Sequence, residues 1–260
     1  MKKSIYLFGV LTILTSSLFA QSSDKGPREL IDLSYLQESK VTHDTLQRLN
    51  LVIPENKKDF PLFIWIGGGA WSYVDRHKEM DLARQFAKEG IAVATIGHRL
   101  STATWKDPTL NVGIKHPKHI EDVASAFSWL YNNAAEYGYD KNQIFIGGYS
   151  SGAHLAALLS LDDRYLNEHS LDKECIKGVI PVAGAYDISD YHKAFLNGSR
   201  KELAKLHVQA VFGDSEADFA HASPTEYLDR MKVPMLLICE SNTHNYTQIL
   251  EDKILKTGFK

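Results

Sequence analysis

Residues 143–159 read Gln143-Ile144-Phe145-Ile146-Gly147-Gly148-Tyr149-Ser150-Ser151-Gly152-Ala153-His154-Leu155-Ala156-Ala157-Leu158-Leu159, and this stretch decides the fold. The apolar run at Ile144, Phe145 and Ile146 reads as a buried strand. The alanine- and leucine-rich run from Ala153 onward reads as a helix. Between them Gly148-Tyr149-Ser150-Ser151-Gly152 must turn the chain sharply. Glycine lacks a Cβ, so the flanking glycines permit that turn and leave a serine oxygen clear of the sheet edge. This is the strand–turn–helix setting of a nucleophile elbow, which makes Ser150 the candidate nucleophile. The competing role for Ser150 is a helix N-cap, where serine is favoured.

Outward from the elbow, strand-like and helix-like segments alternate. Residues 60–66 (FPLFIWI) form an apolar strand that runs into Gly67-Gly68-Gly69. Leu82, Ala83, Phe86 and Ala87 sit at helical spacing, and Gly90 closes that helix. Residues 91–96 (IAVATI) are the next strand. Ile120, Val123, Ala124, Phe127, Leu130 and Tyr131 mark one face of a long helix that ends near Gly138. Residues 176–182 and 233–239 read as two more strands, and Tyr246, Ile249, Leu250 and Ile254 as a last helix stopped by Gly258. The alternation predicts an α/β fold, a mostly parallel central sheet with helices on both faces. Residues 187–222 read as polar and irregular, either a lid or a long crossover, with the crossover favoured. No internal repeat, low-complexity tract or interdomain linker interrupts the pattern.

The 260 residues are 44% hydrophobic and 23% charged, an ordinary globular composition. A net charge of −3 gives no reason to expect nucleic acid or an anionic membrane as partner. Residues 1–20 read as a signal peptide: Lys2-Lys3, an apolar run over 5–14, then small residues before a cut at Ala20/Gln21. The run is too short for a membrane anchor. No cysteine follows the cut to carry a lipid. A secreted or periplasmic location is expected, with residues 21–260 as the mature domain. Cys175 and Cys239 are the only cysteines. Export makes a disulfide between them possible, but Cys239 lies in an apolar run and reads as a small core residue. No metal-ligand spacing occurs, so no metal is expected. His116 and His119, and His192 and His207, read as surface or packing histidines.

Several motifs, in this order along the chain, resemble the α/β-hydrolase fold. Within it they resemble the esterase/lipase branch that holds the hormone-sensitive-lipase-like esterases and the kynurenine formamidases. They are Trp65-Ile66-Gly67-Gly68-Gly69-Ala70-Trp71, His98-Arg99-Leu100-Ser101, Asp122-Val123, Gly148 through Leu155, and Ala222-Ser223-Pro224. The resemblance runs over residues 49–260. It implies Ser150 as nucleophile, with the N–H groups of Ser151, Gly68 and Gly69 as the oxyanion hole. Gly67 stands where the family has a histidine that props the loop, so a looser loop is expected, and Gly67→His should raise turnover. His154 matches a family histidine that packs, and it is badly placed to serve as base. In this fold the triad runs serine, acid, histidine along the chain. The acid should lie in the turn Glu240-Ser241-Asn242-Thr243-His244, where Glu240 is the only carboxylate. Glu240 is therefore the candidate acid, or else a plain turn residue, and His244 in the same turn is the alternative of a displaced base. The family's histidine follows one more helix and strand. The expectation is therefore a sheet whose last strand is missing and a base histidine that is not in the chain, through truncation or through loss.

The resemblance implies a secreted serine hydrolase that cleaves carboxylic esters of small molecules through an acyl-enzyme, with no cofactor. Trp71 and Tyr73 suggest an aromatic pocket beside the oxyanion loop. The alternatives are an amide hydrolase of the formamidase or peptidase kind, towards which Gln248 leans, and a non-catalytic fold that has lost its base.

Overall fold

A computed structural model describes residues 26–36, 45–55 and 57–259. The expected signal peptide over residues 1–20 lies outside the described residues. Among the described residues, no helix is long and apolar enough to cross a membrane.

The strands are β1 (Arg28–Ser34), β2 (Arg48–Ile53), β3 (Phe60–Ile66), β4 (Ala92–Ile96), β5 (Tyr139–Tyr149) and β6 (Ile176–Val182). They form one sheet in the order β1-β2-β4-β3-β5-β6. β1 and β2 are antiparallel to their neighbours, while β4, β3, β5 and β6 run parallel. Helices α1 (Met80–Lys88), α2 (Lys118–Asn132) and α3 (Ser151–Leu161) make the crossovers between the parallel strands. Alternate residues of a strand point to opposite faces. Phe63 and Trp65 of β3 therefore pack with Met80, Ala83 and Ala87 of α1. Leu62, Ile64 and Ile66 pack on the other face with Ile120 and Phe127 of α2 and Leu155 and Leu158 of α3. Burial on both faces is why β3 and β4 carry unbroken apolar runs rather than alternating ones.

The crossovers also place the site. The step from β3 to β4 moves one way along the sheet, and the step from β4 to β5 passes back over β3 to its other side. Such crossovers are right-handed, so the reversal sends α1 and α2 to opposite faces. Where strand order reverses, a crevice opens at the carboxyl ends of the strands. The two chain segments that leave β3 and β5 there are Gly67-Gly68-Gly69 and the elbow.

Three expectations need correction. Residues 233–239 do not form a continuous strand. They pair with β6 as the isolated bridges Val179↔Met235 and Val182↔Ile238, joined by a few main-chain hydrogen bonds. Pro234 has no N–H to donate, and among the described residues no strand pairs with the outer edge. Cys239 is consequently exposed rather than part of the core. It also cannot reach Cys175. Cys175 precedes the start of β6, whereas Cys239 follows the residue bridged to its end. At ~3.3 Å per residue the two ends are about 20 Å apart, well beyond the ~7 Å limit for Cα atoms joined by a disulfide.

Residues 187–222 are largely helical rather than irregular. They hold α4 (Ile188–Asn197), a π-helical turn (Ala204–Gln209) and α5 (Glu216–Ala222). Asp187 and Ser215 cap α4 and α5 with their side chains. Ile188, Val208, Val211, Phe212 and Phe219 are buried in the main core. The last helix, α6 (His244–Thr257), ends at Gly258 in the left-handed region, as the sequence predicts.

Candidate active site

Ser150 joins β5 to α3 with φ 52° and ψ −113°, a backbone conformation that non-glycine residues rarely adopt. Its N–H donates to the Val182 carbonyl at 2.8 Å. The turn is tight because two pieces of main chain meet there. A Cβ on Gly152 would lie 2.1 Å from the Ile66 carbonyl oxygen, and one on Gly148 would lie 2.5 Å from Gly152 C. Ser150 occupies the N-cap position of α3, but its side chain makes no capping hydrogen bond. That leaves the hydroxyl uncommitted to the helix end.

The glycine loop abuts the elbow. A Cβ on Gly68 would lie 2.6 Å from the Tyr149 ring and 3.3 Å from the Ser150 Cβ. The loop then coils back, with Gly69, Ala70 and Trp71 all at positive φ. The Ser72 and Tyr73 N–H groups donate to the Gly69 carbonyl at 2.9 Å each. Ser151 opens α3, where N–H groups lack intrahelical acceptors and the helix dipole is positive. Gly68 thus packs against the serine, and Ser151 follows it at the start of α3.

Position 67 is not simply vacant. The Glu79 carboxylate fills the space a side chain there would enter, with Oε1 2.7 Å from an ideal Cβ. Its other oxygen accepts from the Trp65 indole at 2.7 Å. The space beside Gly67 is therefore occupied, although no side chain at position 67 fills it. No spacing rule connects Glu79 to Gly67, so periodicity could not have found it.

His154 is fully buried, with both ring nitrogens committed. Nδ1 accepts from the Trp71 indole at 3.3 Å, which leaves Nε2–H to donate to the Ala222 carbonyl at 2.7 Å. Burial pushes its pKa down to about 4, so the ring is neutral and locked in one tautomer. It ties the oxyanion loop to the end of α5. Trp71 is itself buried, packed on Phe212, His207 and Tyr191, and so serves as a prop rather than a pocket wall. Tyr73 is the exposed aromatic of the pair.

Asp122 explains two of the motifs at once. Its carboxylate is buried and accepts from the Arg99 guanidinium at 2.7 and 2.9 Å and from the Arg99 N–H at 2.8 Å. The helix before the elbow thereby holds the segment after β4. The histidines read as surface or packing residues are mostly interior: His119, His192 and His207 are buried, and His116 meets His221 at 2.8 Å. Among the described residues, no cluster of three or more His, Cys, Asp or Glu side chains could hold a metal.

The acid turn is exposed. Glu240 Oε1 accepts from the Tyr149 hydroxyl at 2.8 Å, one residue before the nucleophile. That carboxylate raises the Tyr149 pKa above its ordinary value. His244 directs Nδ1 to the Cys239 sulfur at 3.7 Å. The structure therefore brings Gly68 against Ser150, with Ser151 next in the chain and Gly69 following in the loop, and sets Glu240 beside Tyr149. Among the described residues, no histidine hydrogen-bonds the Ser150 hydroxyl. Tyr149, which sequence reasoning passed over, links the elbow to the acid turn.

The BD-FAE family model matches residues 49–255. Esterase LipC of Mycobacterium tuberculosis is 29% identical over 189 residues, which cover 70% of this chain and 44% of the relative. A probable isoprenylcysteine alpha-carbonyl methylesterase of Oryza sativa subsp. japonica is 30% identical over 148 residues, 55% of this chain and 33% of the relative. The chain spans less than half the length of these curated relatives. Among solved structures, esterase B from Lactobacillus rhamnosis superposes with a TM-score of 0.73 at 22% identity, covering 91% of this chain and 73% of that one. A truncated carbohydrate esterase from gut microbiota gives 0.69 at 20% identity, covering 92% and 87%. These structures share the α/β-hydrolase fold with this chain.

Proposed function

This chain belongs to the BD-FAE family, and from that premise we propose that it hydrolyses carboxylic esters through an acyl-enzyme on Ser150. The observation that carries the reading is the elbow itself: Ser150 at positive φ, its hydroxyl off the helix cap, with Gly68 packed against it. The Ser150 oxygen attacks the acyl carbon and yields its proton to a base. The carbonyl oxygen becomes an oxyanion, held by the N–H groups of Ser151, Gly68 and Gly69. Each such donor contributes about 3 kcal/mol to the transition state. The alcohol leaves with the proton, and water then releases the acid by the same route.

In this reading the base is a histidine outside the described residues, oriented by Glu240. The substrate is a small-molecule ester. The basic and apolar residues before Ala20 support export, which N-terminal sequencing of the mature protein tests by a start at Gln21.

The deciding experiment is hydrolysis of p-nitrophenyl acetate alongside labelling by a fluorophosphonate probe. Ser150→Ala should abolish both. Turnover that persists unchanged in Ser150→Ala overturns the serine mechanism. Stoichiometric labelling of Ser150 in the unaltered chain overturns the non-catalytic reading.

A further inference from the structure

We propose that Glu79 is a positioning residue for the oxyanion loop, supplying from the turn before α1 the prop that position 67 lacks. The inference rests on the ester-hydrolase reading above. Trp65 and Gly67 are two residues apart, so they share the face of the sheet that α1 covers. Trp65 is packed there with Phe63, Met80 and Ala83. Glu79 stands immediately before α1 and is half-buried. Its side chain reaches under the end of β3. One carboxylate oxygen accepts from the Trp65 indole at 2.7 Å, and the other lies 2.7 Å from where a Gly67 Cβ would be. The Cδ and Cγ atoms of Glu79 follow at 3.1 and 3.2 Å.

One side chain thus both anchors the last turn of β3 and fills the space beneath the first loop glycine. The physical need is clear. Three consecutive glycines lose much conformational entropy when fixed. Their N–H groups stabilise an oxyanion only when held in place before the reaction. A hydrogen bond to a charged acceptor is stronger than a neutral one and more directional than packing alone. Glu79 therefore acts through Trp65 and the Gly67 main chain, not by touching substrate.

The test uses the full chain, p-nitrophenyl acetate turnover, and amide hydrogen exchange over residues 66–72. Glu79→Ala should speed exchange at Gly68 and Gly69 and lower kcat about tenfold, with KM moving much less. Glu79→Gln should restore most of both, because its amide oxygen still accepts from Trp65. Gly67→Ala, which pushes the carboxylate aside without deleting it, should change exchange in the same direction and less. It also serves as the test if Glu79→Ala does not fold. Unchanged exchange in Glu79→Ala and Gly67→Ala overturns the proposal. So does a fall in kcat that Glu79→Gln fails to restore. If the unaltered chain hydrolyses no ester, the exchange measurements still decide the role of Glu79, and only the ester-hydrolase reading falls.

Discussion

The elbow and the acid turn lie side by side at the end of the sheet, yet they are built in opposite ways. At the elbow, β3, β5 and α3 converge so closely that Gly148 and Gly152 touch main chain where a Cβ would be. Leading into the acid turn, residues 233–239 pair with β6 as isolated bridges, and Leu236 and Ile238 are 60% and 42% exposed. The half of the site that would stabilise an oxyanion is fixed by packing from several directions. The half that would manage the proton is held more loosely, by a few main-chain hydrogen bonds to β6 and the side-chain bond from Tyr149 to Glu240. Geometry that must be accurate before substrate arrives is placed where the core over-determines it.

The sharpest way to break this contrast is Gly152→Ala. The new Cβ would meet the Ile66 carbonyl oxygen at 2.1 Å, and main chain on both sides cannot yield as a flexible side chain would. We expect a loss of about 3 kcal/mol or more, read by chemical denaturation, together with loss of serine labelling. A variant of near-normal stability would show that the elbow is less tightly packed than the contacts imply.

Legibility in the sequence follows the same division. The elbow, β3, β4 and α2 were readable because central strands and the helices on them carry long apolar signals. β1 was not, since Arg28, Glu29 and Asp32 interrupt it and much of the strand faces water. Residues 187–222 read as irregular because Asp, Lys and Glu crowd the outer surfaces of short helices whose buried residues are few per turn. Residues 233–239 read as a strand because Leu236, Leu237 and Ile238 form an apolar run, although that run stays half outside the fold. Among the site residues, Ser150 and the loop glycines announce themselves through spacing. Glu79 and Tyr149 act through contacts that only the folded chain makes.

A smaller effect should appear on acidification. His154 holds a pKa of about 4 in the folded protein, through burial, against about 6.5 when unfolded. The folded ring stays neutral while the unfolded ring takes up a proton. This contribution to stability is therefore complete above the unfolded pKa and is lost as pH falls from about 6.5 towards 4. The loss from this one group is of order 3 kcal/mol at most. Other histidines, including the half-buried His116 and the buried His207, shift in the same direction, so the comparison must be made against His154→Gln. That variant should show a shallower fall in denaturation midpoint over the same pH range. An identical slope would mean that His154 takes up its proton equally in the folded and unfolded states, and that the Trp71–His154–Ala222 link is not as drawn.

The smallest stability effect belongs to the acid turn. Glu240 is exposed and its partner Tyr149 is 40% exposed, so Glu240→Gln should change the unfolding free energy by less than about 0.5 kcal/mol. The same substitution should lower the Tyr149 pKa towards that of an ordinary tyrosine, because the neighbouring carboxylate is what raises it first. Ultraviolet titration of the phenol, compared with Tyr149→Phe to assign the signal, reads this directly. Turnover separates the two roles open to Glu240. If it orients a base, kcat falls while stability does not. If it only holds Tyr149, then Tyr149→Phe and Glu240→Gln should have the same small effect on kcat. A large loss of stability in Glu240→Gln would erase the contrast between the two regions, since it would make the acid turn as tightly coupled to the core as the elbow.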